Sequence, residues 1–250
     1  MKLIDTPPPL AEQVHRAILA EIAEGRLLPG ARIIQEQIAQ ALGVSRQPVQ
    51  QALLLLRDQG VLREAPGRGL QVAPLDLDLV RQMYELRAVI EGLAFRRAAQ
   101  ESADVAARRG PALIQAGRKA VASGSVSAMI TADMAFHAFI YELSGNPLVA
   151  PAMDRHWTHI QRVMGGVLVR DDQPRNIWDQ HEALLDAVAQ GRARQAESLA
   201  RRHIQEAADF MIARLAGPAA EGRERSPEPA PGTPAPPAPQ PRPARARSRG

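Results

Sequence analysis

The segment that most constrains this chain covers residues 38–60 and has the sequence IAQALGVSRQPVQQALLLLRDQG. It predicts a short helix, a tight turn at Gly43 and a second helix that begins near Ser45, since glycine favours helix ends and serine favours helix starts. In the second helix, apolar residues recur at the spacing of one buried face, namely at Val49, Ala52, Leu53 and Leu56. Two helices joined by so short a turn are typical of a helix-turn-helix DNA-binding motif.

The flanking segments extend this motif to a winged helix-turn-helix domain, which we predict over residues 1–74. A helical stripe of apolar residues precedes the motif, and two short strands around a glycine-rich turn follow it. The predicted elements are helices over residues 10–24 and 33–42 and from Ser45 onward, then strands over residues 61–64 and 70–72. Pro48 is tolerated because it lies in the first turn of its helix.

The second half of the chain, residues 75–216, is predicted to form an all-α bundle after a short linker at 74–78. No segment alternates polar and apolar residues with the period of two that a strand requires. A composition of 45% hydrophobic but only 3% aromatic residues also suits helices packed through aliphatic side chains. The predicted helices cover residues 79–100, 103–123, 126–144, 148–169, 175–190 and 193–215. The fold class is therefore mainly α, a winged domain followed by a bundle.

Residues 217–250 differ from the rest in composition, because they hold ten of the 21 prolines and almost no large apolar residue. We predict a disordered, partly polyproline-II tail. Its six arginines and three glutamates supply +3 of the net charge of +4, so the high pI does not itself indicate DNA binding. The last four arginines either contact DNA phosphates nonspecifically or have no fixed role.

Composition also excludes several classes of protein. There is no cysteine, which excludes disulfides and thiolate metal sites. No apolar run approaches the roughly 20 residues that span a bilayer, and the N-terminus lacks the apolar core of a signal peptide. The sequence thus predicts a cytoplasmic protein that makes no contact with membranes.

Three stretches together resemble the GntR family of bacterial transcription regulators. They are PGARIIQEQIAQALGVSRQPVQQAL, GVLREAPGRGLQVAPL and MYELRAVIEGLAFRRAA. The helical half resembles the FCD effector domain of the FadR subfamily, and six predicted helices favour its smaller VanR-like form. The resemblance covers about residues 10–215. It implies a ligand-responsive regulator of transcription that binds double-stranded operator DNA, most often as a repressor.

The resemblance also implies which residues contact DNA. The second helix of the motif enters the major groove, where an arginine at its start can bind guanine O6 and N7. The tip of the wing touches the minor groove or the DNA backbone. The residues so implied are Ser45, Arg46, Gln47, Gln50 and Gln51 in the helix and Gly67 and Arg68 at the wing tip.

The DNA-contacting helix departs from the family pattern. Relatives usually have TPVREAL where this chain has QPVQQAL, so Gln50 and Gln51 replace an arginine and a glutamate. A glutamine amide pairs well with adenine N6 and N7. We hypothesise an operator with less guanine dependence than the family consensus. The alternative is that Gln50 only weakens one contact while Arg46 keeps the specificity.

In the helical half, the resemblance implies a metal site formed by Asp133, His137, His181 and His203. Asp133 and His137 are four residues apart, so they share one face of a predicted helix. Three imidazoles and one carboxylate suit Zn²⁺ best and also Ni²⁺ or Mn²⁺, with positions left open for a ligand oxygen. Two other histidines, at 156 and 159, fall outside the family pattern and are predicted to lie on a helix surface or a pocket wall.

The effector itself is predicted to be a small carboxylate. Arg87 should point into the bundle, where it either binds the effector or forms a salt bridge with a neighbour such as Glu91. Arg162 and Asn146 are further candidate effector contacts, although Asn146 in the motif SGNP is also suited to ending a helix. Apolar positions nearby are predicted to belong to the core, namely Met83, Leu86, Phe136 and Phe139.

Two other functions compete with ligand-responsive regulation. A metal-dependent hydrolase is one, because an open metal site can activate water, but no base stands in a pattern such as HExxH. A constitutive DNA-binding protein, whose helical half only dimerises, is the other. A homodimer is expected in either regulatory case, because winged domains of this kind read two half-sites.

Overall fold

Two separate hydrophobic cores organise the chain in this computed structural model, which describes residues 9–168 and 177–216 apart from the side chain of Arg155. The predicted tail at 217–250 lies outside the described residues, as do the N-terminal residues 1–8 and the segment 169–176. The smaller core belongs to the winged domain and the larger one to the helical bundle.

The winged domain contains three helices and a small antiparallel sheet with the strand order β1-β3-β2. Its elements are α1 Leu10–Ala23, β1 Arg32–Ile33, α2 Gln35–Leu42, α3 Arg46–Asp58, β2 Leu62–Glu64 and β3 Leu70–Val72. The predicted inward face of α3 is confirmed, since its four apolar residues are buried against the stripe of α1. Burial of these aliphatic side chains holds the three helices together.

Strand β1 was not predicted. Its presence means that the second helix begins later than predicted. Ile33 pairs with Leu70 of β3, so α2 begins at Gln35, two residues later than its spacing suggested. A strand of two residues is too short to show a period in sequence. Ser45 does stand at the N-cap of α3, but its hydroxyl makes no capping hydrogen bond.

Six helices form the bundle within the described residues, as predicted. They are α4 Leu77–Glu101, α5 Ala103–Ser123, α6 Val126–Leu143, α7 Val149–Leu168, α8 Ile177–Ala189 and α9 Ala193–Ala216. Helix α4 begins two residues before its predicted start, because the Asp76 carboxylate accepts hydrogen bonds from the backbone N–H groups of Asp78 and Leu79. Among the described residues, none of these helices is long and apolar enough to cross a bilayer.

The helices of the bundle pack against one another in a few close pairs. Helix α4 lies along α9, and α5 packs against both α6 and α8. A Cβ atom on Gly117 of α5 would lie 2.0 Å from the Trp178 ring, so only glycine lets α8 approach this closely. The prediction of core positions is confirmed for Met83, Phe136 and Phe139, which are buried.

The core prediction is wrong for Leu86, which is 46% exposed. It lies on the outer face of α4 together with Leu79 and Val89, which are also exposed. The i, i+7, i+10 spacing places these three side chains on one stripe of the helix. Periodicity alone could not distinguish this second apolar face from the face that is buried in the bundle.

The winged domain contacts the bundle through α1 and the chain that follows β3, both of which pack on α7. Here Arg162 Nη2 donates a hydrogen bond of 2.5 Å to the Ala73 carbonyl. Gly165 lies so close to α1 that a Cβ atom on it would be 2.2 Å from the Ala23 carbonyl oxygen. We refer to this contact region as the domain junction.

Candidate metal centre and nucleic-acid interface

Three buried histidines from three helices meet inside the bundle. His137 lies on α6, His181 on α8 and His203 on α9, and their candidate ligand nitrogens all lie within 4.8 Å of one another. Asp133 lies one turn before His137, and its Oδ1 is 3.4 Å from His181 Nε2 and 3.9 Å from His137 Nε2. The structure thus brings together all four residues of the predicted metal set.

The spacing is close to what one ion requires. Atoms bound at about 2.1 Å to the same ion lie at most about 4.2 Å apart, so small side-chain rotations would close the cluster. The hydrogen bond of His203 leaves the nitrogen that a metal requires free. His203 Nδ1 donates to Gln180 Oε1 at 2.8 Å, which places the proton on Nδ1 and leaves the Nε2 lone pair available.

His181 gives the clearest sign of a missing partner. It is fully buried, and neither of its ring nitrogens has a hydrogen-bond partner among the described residues. A buried polar atom without a partner costs free energy, and an ion would relieve this cost for one nitrogen. The donor set and the orphaned nitrogens therefore fit a divalent metal.

Burial keeps two of the histidines neutral, as metal ligands must be. It lowers the pKa of His203 to about 3, with a further contribution from neighbouring His137. It also lowers the pKa of His181 well below the usual value, with added repulsion from the other two histidines. Burial raises the pKa of Asp133, although His137 and Arg87 oppose that change.

Arg87 and Glu91 of α4 form a buried ion pair beside the cluster. Arg87 Nε donates to Glu91 Oε1 at 2.5 Å, so the salt bridge that was one of two alternatives for Arg87 is present. Arg87 Nη2 also lies 3.2 Å from His137 Nε2, the nitrogen that faces Asp133 and His181. Burial raises the pKa of Glu91, but Arg87 and His137 outweigh it, and that pKa lies well below its usual range.

Two residues of the site were not predicted as part of it. The Glu91 carboxylate lies 2.8 Å from His137 Nδ1, an ion-pair distance at an angle that makes no hydrogen bond, and it accepts one from the Tyr141 hydroxyl. Gln180 orients His203 across two helices. The position of Glu91, four residues after Arg87, was a weak signal, but nothing in the sequence connects Gln180 with His203.

A cavity of about 230 Å³ opens beside Asp133. Its walls are mostly apolar, and its polar lining groups are Asp133, Gln180 and Glu206. The apolar lining includes Val121, Met129, Met164, Trp178, Phe210 and Met211. This shape suits a small molecule with an apolar body whose polar end points towards the histidine cluster.

None of the three predicted effector contacts, Arg87, Arg162 and Asn146, lines this cavity. Arg162 lies at the domain junction. The Asn146 side chain accepts a hydrogen bond of 3.1 Å from the Leu148 N–H just before α7, so it shapes a helix start rather than the helix end expected from SGNP. His156 and His159 lie on α7, outside the cluster of three histidines.

The candidate nucleic-acid interface is the exposed face of α3 with the wing. Gly43 ends α2 in a left-handed conformation, with φ of 63°, as the sequence predicted. Arg46 pairs with Glu36 at 2.5 Å, and Gln35 Nε2 donates to the Arg46 carbonyl at 2.8 Å, so the start of α2 positions the start of α3. The side chains predicted to contact DNA are exposed at Ser45, Arg46, Gln47, Gln50 and Gln51.

At the wing tip, the predicted residues Gly67 and Arg68 are exposed between β2 and β3. Arg32 Nη2 donates a hydrogen bond of 2.8 Å to the Pro66 carbonyl, which connects β1 to the tip of the wing. The raised pKa of Arg46 follows first from its hydrogen bond to Glu36, so its positive charge is partly balanced when DNA is absent.

A winged helix-turn-helix joined to a helical bundle with a buried polar site defines a DNA-binding regulator with a sensory domain. Comparison with known proteins supports this class. Residues 10–72 match the bacterial regulatory proteins of the gntR family, and residues 82–206 match the FCD domain. The chain therefore belongs to the GntR family of transcriptional regulators, in the group that carries an FCD effector-binding domain.

Relatives support the same class of protein. The chain is 24% identical over 191 residues to the uncharacterized HTH-type transcriptional regulator YdhC of Bacillus subtilis, covering 74% of this chain and 83% of YdhC. It is 22% identical over 198 residues to the HTH-type transcriptional repressor RspR of Escherichia coli, covering 79% and 87% of the two chains. The predicted role as a regulator rather than an enzyme is confirmed by this family membership.

Solved structures confirm the fold. The E. coli protein McbR/YncC superposes with a TM-score of 0.73 at 20% identity, covering 83% of this chain and 99% of that one. A putative GntR regulator from Rhodococcus sp. RHA1 gives a TM-score of 0.68 at 21% identity, covering 81% and 97%. The predicted combination of winged domain and FCD-like bundle is therefore correct.

Proposed function

We propose that this regulator senses a small carboxylate through a divalent metal held by Asp133, His137, His181 and His203. The observation that carries the proposal is the buried His181, whose two nitrogens lack hydrogen-bond partners among the described residues and which belongs to a converging donor set. Three imidazoles and a carboxylate suit Zn²⁺ first, with Ni²⁺ or Mn²⁺ as alternatives. Such a metal supplies open coordination positions and positive charge for an anionic oxygen.

Charge balance favours an anionic effector with a single carboxylate. Around the cluster, Arg87 carries one positive charge, and Glu91 and a metal-ligating Asp133 carry one negative charge each. A divalent ion would leave one excess positive charge in a buried site, where uncompensated charge is costly. A monocarboxylate would remove that excess, and the apolar cavity beside Asp133 would hold its hydrocarbon part.

Arg87 is the residue that we propose contacts the effector directly. Glu91 already holds its Nε, while Nη2 points to the same His137 nitrogen that would face the metal. If His137 instead ligates through Nε2, the Nη2 donor of Arg87 is released for a carboxylate oxygen. Metal and effector sites would then share one face of Arg87.

We further propose a cytoplasmic homodimer that represses transcription and is released by its effector. Two copies would present two α3 helices to the half-sites of an operator. The exposed apolar stripe of Leu79, Leu86 and Val89 on α4 provides a surface that a second copy would cover. The relative RspR is described as a repressor, which supports the same sign of regulation here.

Effector binding is expected to depend on the metal. In a thermal-shift screen of small carboxylic acids, with and without Zn²⁺, an effector should stabilise only the metal-loaded protein. The variant Arg87→Lys keeps the charge but loses the planar fork, so effector affinity should fall about tenfold or more while Zn²⁺ binding persists.

The control for Arg87→Lys is Arg97→Lys on the same helix, because Arg97 donates to the Ser144 carbonyl, whereas Arg87 donates to Glu91 and His137. It should leave the effector response unchanged. If no carboxylate stabilises the loaded protein across a wide panel, the sensing role is wrong. The alternative of a constitutive DNA-binding protein would then be favoured.

DNA binding is expected to depend on Arg46. The operator can be identified by selecting binding sites from random DNA. If the selected sites match the family consensus operator, the altered specificity proposed for Gln50 is wrong. On that operator, Arg46→Ala should weaken binding by about 5- to 150-fold, because one bidentate arginine–guanine contact is worth roughly 1–3 kcal/mol. Fluorescence anisotropy at fixed salt measures the change.

The matched variant is Glu36→Gln, which removes the carboxylate that pairs with Arg46. Both side chains are exposed, so the pair itself contributes little to stability. Removal of a negative charge beside DNA phosphates should strengthen binding several-fold. If Arg46→Ala binds the operator as tightly as the unmodified protein, Arg46 makes no specific contact.

A further inference from the structure

A second cavity, of about 350 Å³, lies at the domain junction, apart from the histidine cluster. The winged domain contributes Ile22, Leu27 and Leu28 to its wall, and the bundle contributes Arg162, Gly165 and Leu215. Its volume falls within the roughly 300–1,000 Å³ that is usual for small-molecule sites. Most of the wall is apolar, so its one charged lining group stands out.

That charged group is Arg162, which is only 4% exposed. Its Nη2 donates to the Ala73 carbonyl, but its Nε has no hydrogen-bond partner in the described parts of the chain. Among the described residues, no carboxylate forms a salt bridge with it, and no acidic residue lines the cavity. Burial lowers the pKa of Arg162 to about 10, a value at which it stays charged at neutral pH.

A buried guanidinium without a counter-charge is unfavourable in any protein. The contrast with Arg87 is instructive, because that equally buried arginine has Glu91 as an internal partner. Arg162 has instead a neutral carbonyl on one side and a cavity on the other. Since none of the described residues supplies a negative charge, the arrangement is expected if a bound ligand does.

We propose that this junction cavity binds a monocarboxylate with an apolar tail, and that Arg162 holds the carboxylate. The guanidinium still has donors to offer, and carboxylate oxygens match their fork geometry. The leucine and isoleucine side chains of the wall would bury the tail. This site is separate from the metal-centred one and does not depend on the proposed metal.

Occupancy of this site would act on DNA binding directly. The ligand would contact the winged domain through Ile22 and Leu28 and the bundle through Gly165 and Leu215. It would therefore favour the arrangement in which these two parts enclose the cavity. A ligand shifts an equilibrium only through such differential contacts, and here they connect the DNA-binding domain to the bundle.

The test uses octanoate as the probe, on the full-length protein stripped of metal by a chelator. Isothermal titration calorimetry should show octanoate binding, with affinity falling at least tenfold for butanoate and for uncharged 1-octanol. In Arg162→Met, octanoate affinity should also fall at least tenfold. The ligand-free variant should melt at a higher temperature than the unmodified protein, because a buried unpaired charge has been replaced by an apolar chain of similar length.

Two further variants separate this site from the metal-centred one. Leu75→Phe narrows the cavity while keeping Arg162, and it should weaken octanoate binding. His181→Gln removes a proposed metal ligand and should leave octanoate binding unchanged. The proposal is overturned if Arg162→Met binds octanoate normally, if His181→Gln abolishes binding, or if octanoate fails to bind the unmodified protein. If inorganic phosphate binds as tightly as octanoate, the proposal that the ligand has an apolar tail is wrong.

Discussion

Replacing His181 with glutamine is expected to abolish the stabilisation of this protein by a divalent metal. The imidazole is fully buried, neither nitrogen has a hydrogen-bond partner within the described part of the chain, and Nε2 lies 3.4 Å from Asp133 Oδ1. At a metal concentration 100 times Kd, binding adds about 2.7 kcal/mol to the free energy of unfolding. At roughly 2–4 °C per kcal/mol for a protein of this size, the lost rise in Tm is about 5–10 °C.

The control is His156→Gln, because His156 lies on α7 outside the cluster of three histidines. It should keep the full rise in Tm and one bound metal per chain in elemental analysis. Glutamine is close to histidine in size, so His181→Gln should still fold in its metal-free form. If His181→Gln binds Zn²⁺ with unchanged stoichiometry and Tm, the proposed metal centre is wrong.

Replacing Gly165 with alanine should have the second large effect, at the domain junction. A Cβ atom at this position would lie 2.2 Å from the Ala23 carbonyl oxygen, which is backbone and cannot rotate away. Either α1 or α7 must shift, and such overpacking costs typically 1–3 kcal/mol. Urea unfolding should report the loss, and limited proteolysis should cut more rapidly at the linker between Ala73 and Asp76.

The next residue on the same helix provides a matched comparison. A Cβ atom on Gly166 would meet only the flexible ends of Leu215 and Leu75, at 3.4 and 3.7 Å. Gly166→Ala should therefore be neutral or stabilise the helix by up to about 1 kcal/mol through its higher helix propensity. Equal destabilisation by the two variants would show that the close contact between α1 and α7 does not matter.

Both effects depend on the way in which the bundle and the winged domain are tied together. Helix α7 contacts α1 through Gly165 and the residue after β3, Ala73, through Arg162, so direct packing links the bundle to the winged domain. Gly165→Ala should accordingly weaken any effect of an effector on operator affinity. The proposed metal site lies inside the bundle, whereas the proposed carboxylate site lies between the bundle and the winged domain.

The sequence by itself determined the helices and the class of protein. Apolar spacing within segments of 13–25 residues is a local property, so α3, α5 and the inward face of α1 were predicted with small errors. The four proposed metal ligands were also predicted from sequence, because an ordered set of motifs resembled a known family. Where a local pattern was short or ambiguous, as for β1 and Leu86, prediction failed.

Only the tertiary structure decided what surrounds those residues. Glu91 beside His137 and Gln180 on His203 are contacts between helices that lie 23 or more residues apart in the chain. That Arg87 pairs with a carboxylate, whereas Arg162 pairs with none of those in the described residues, depends in the same way on packing. Helix periodicity specifies which face is buried, but the neighbour of a buried charge is set by how whole helices cross, which no local pattern records.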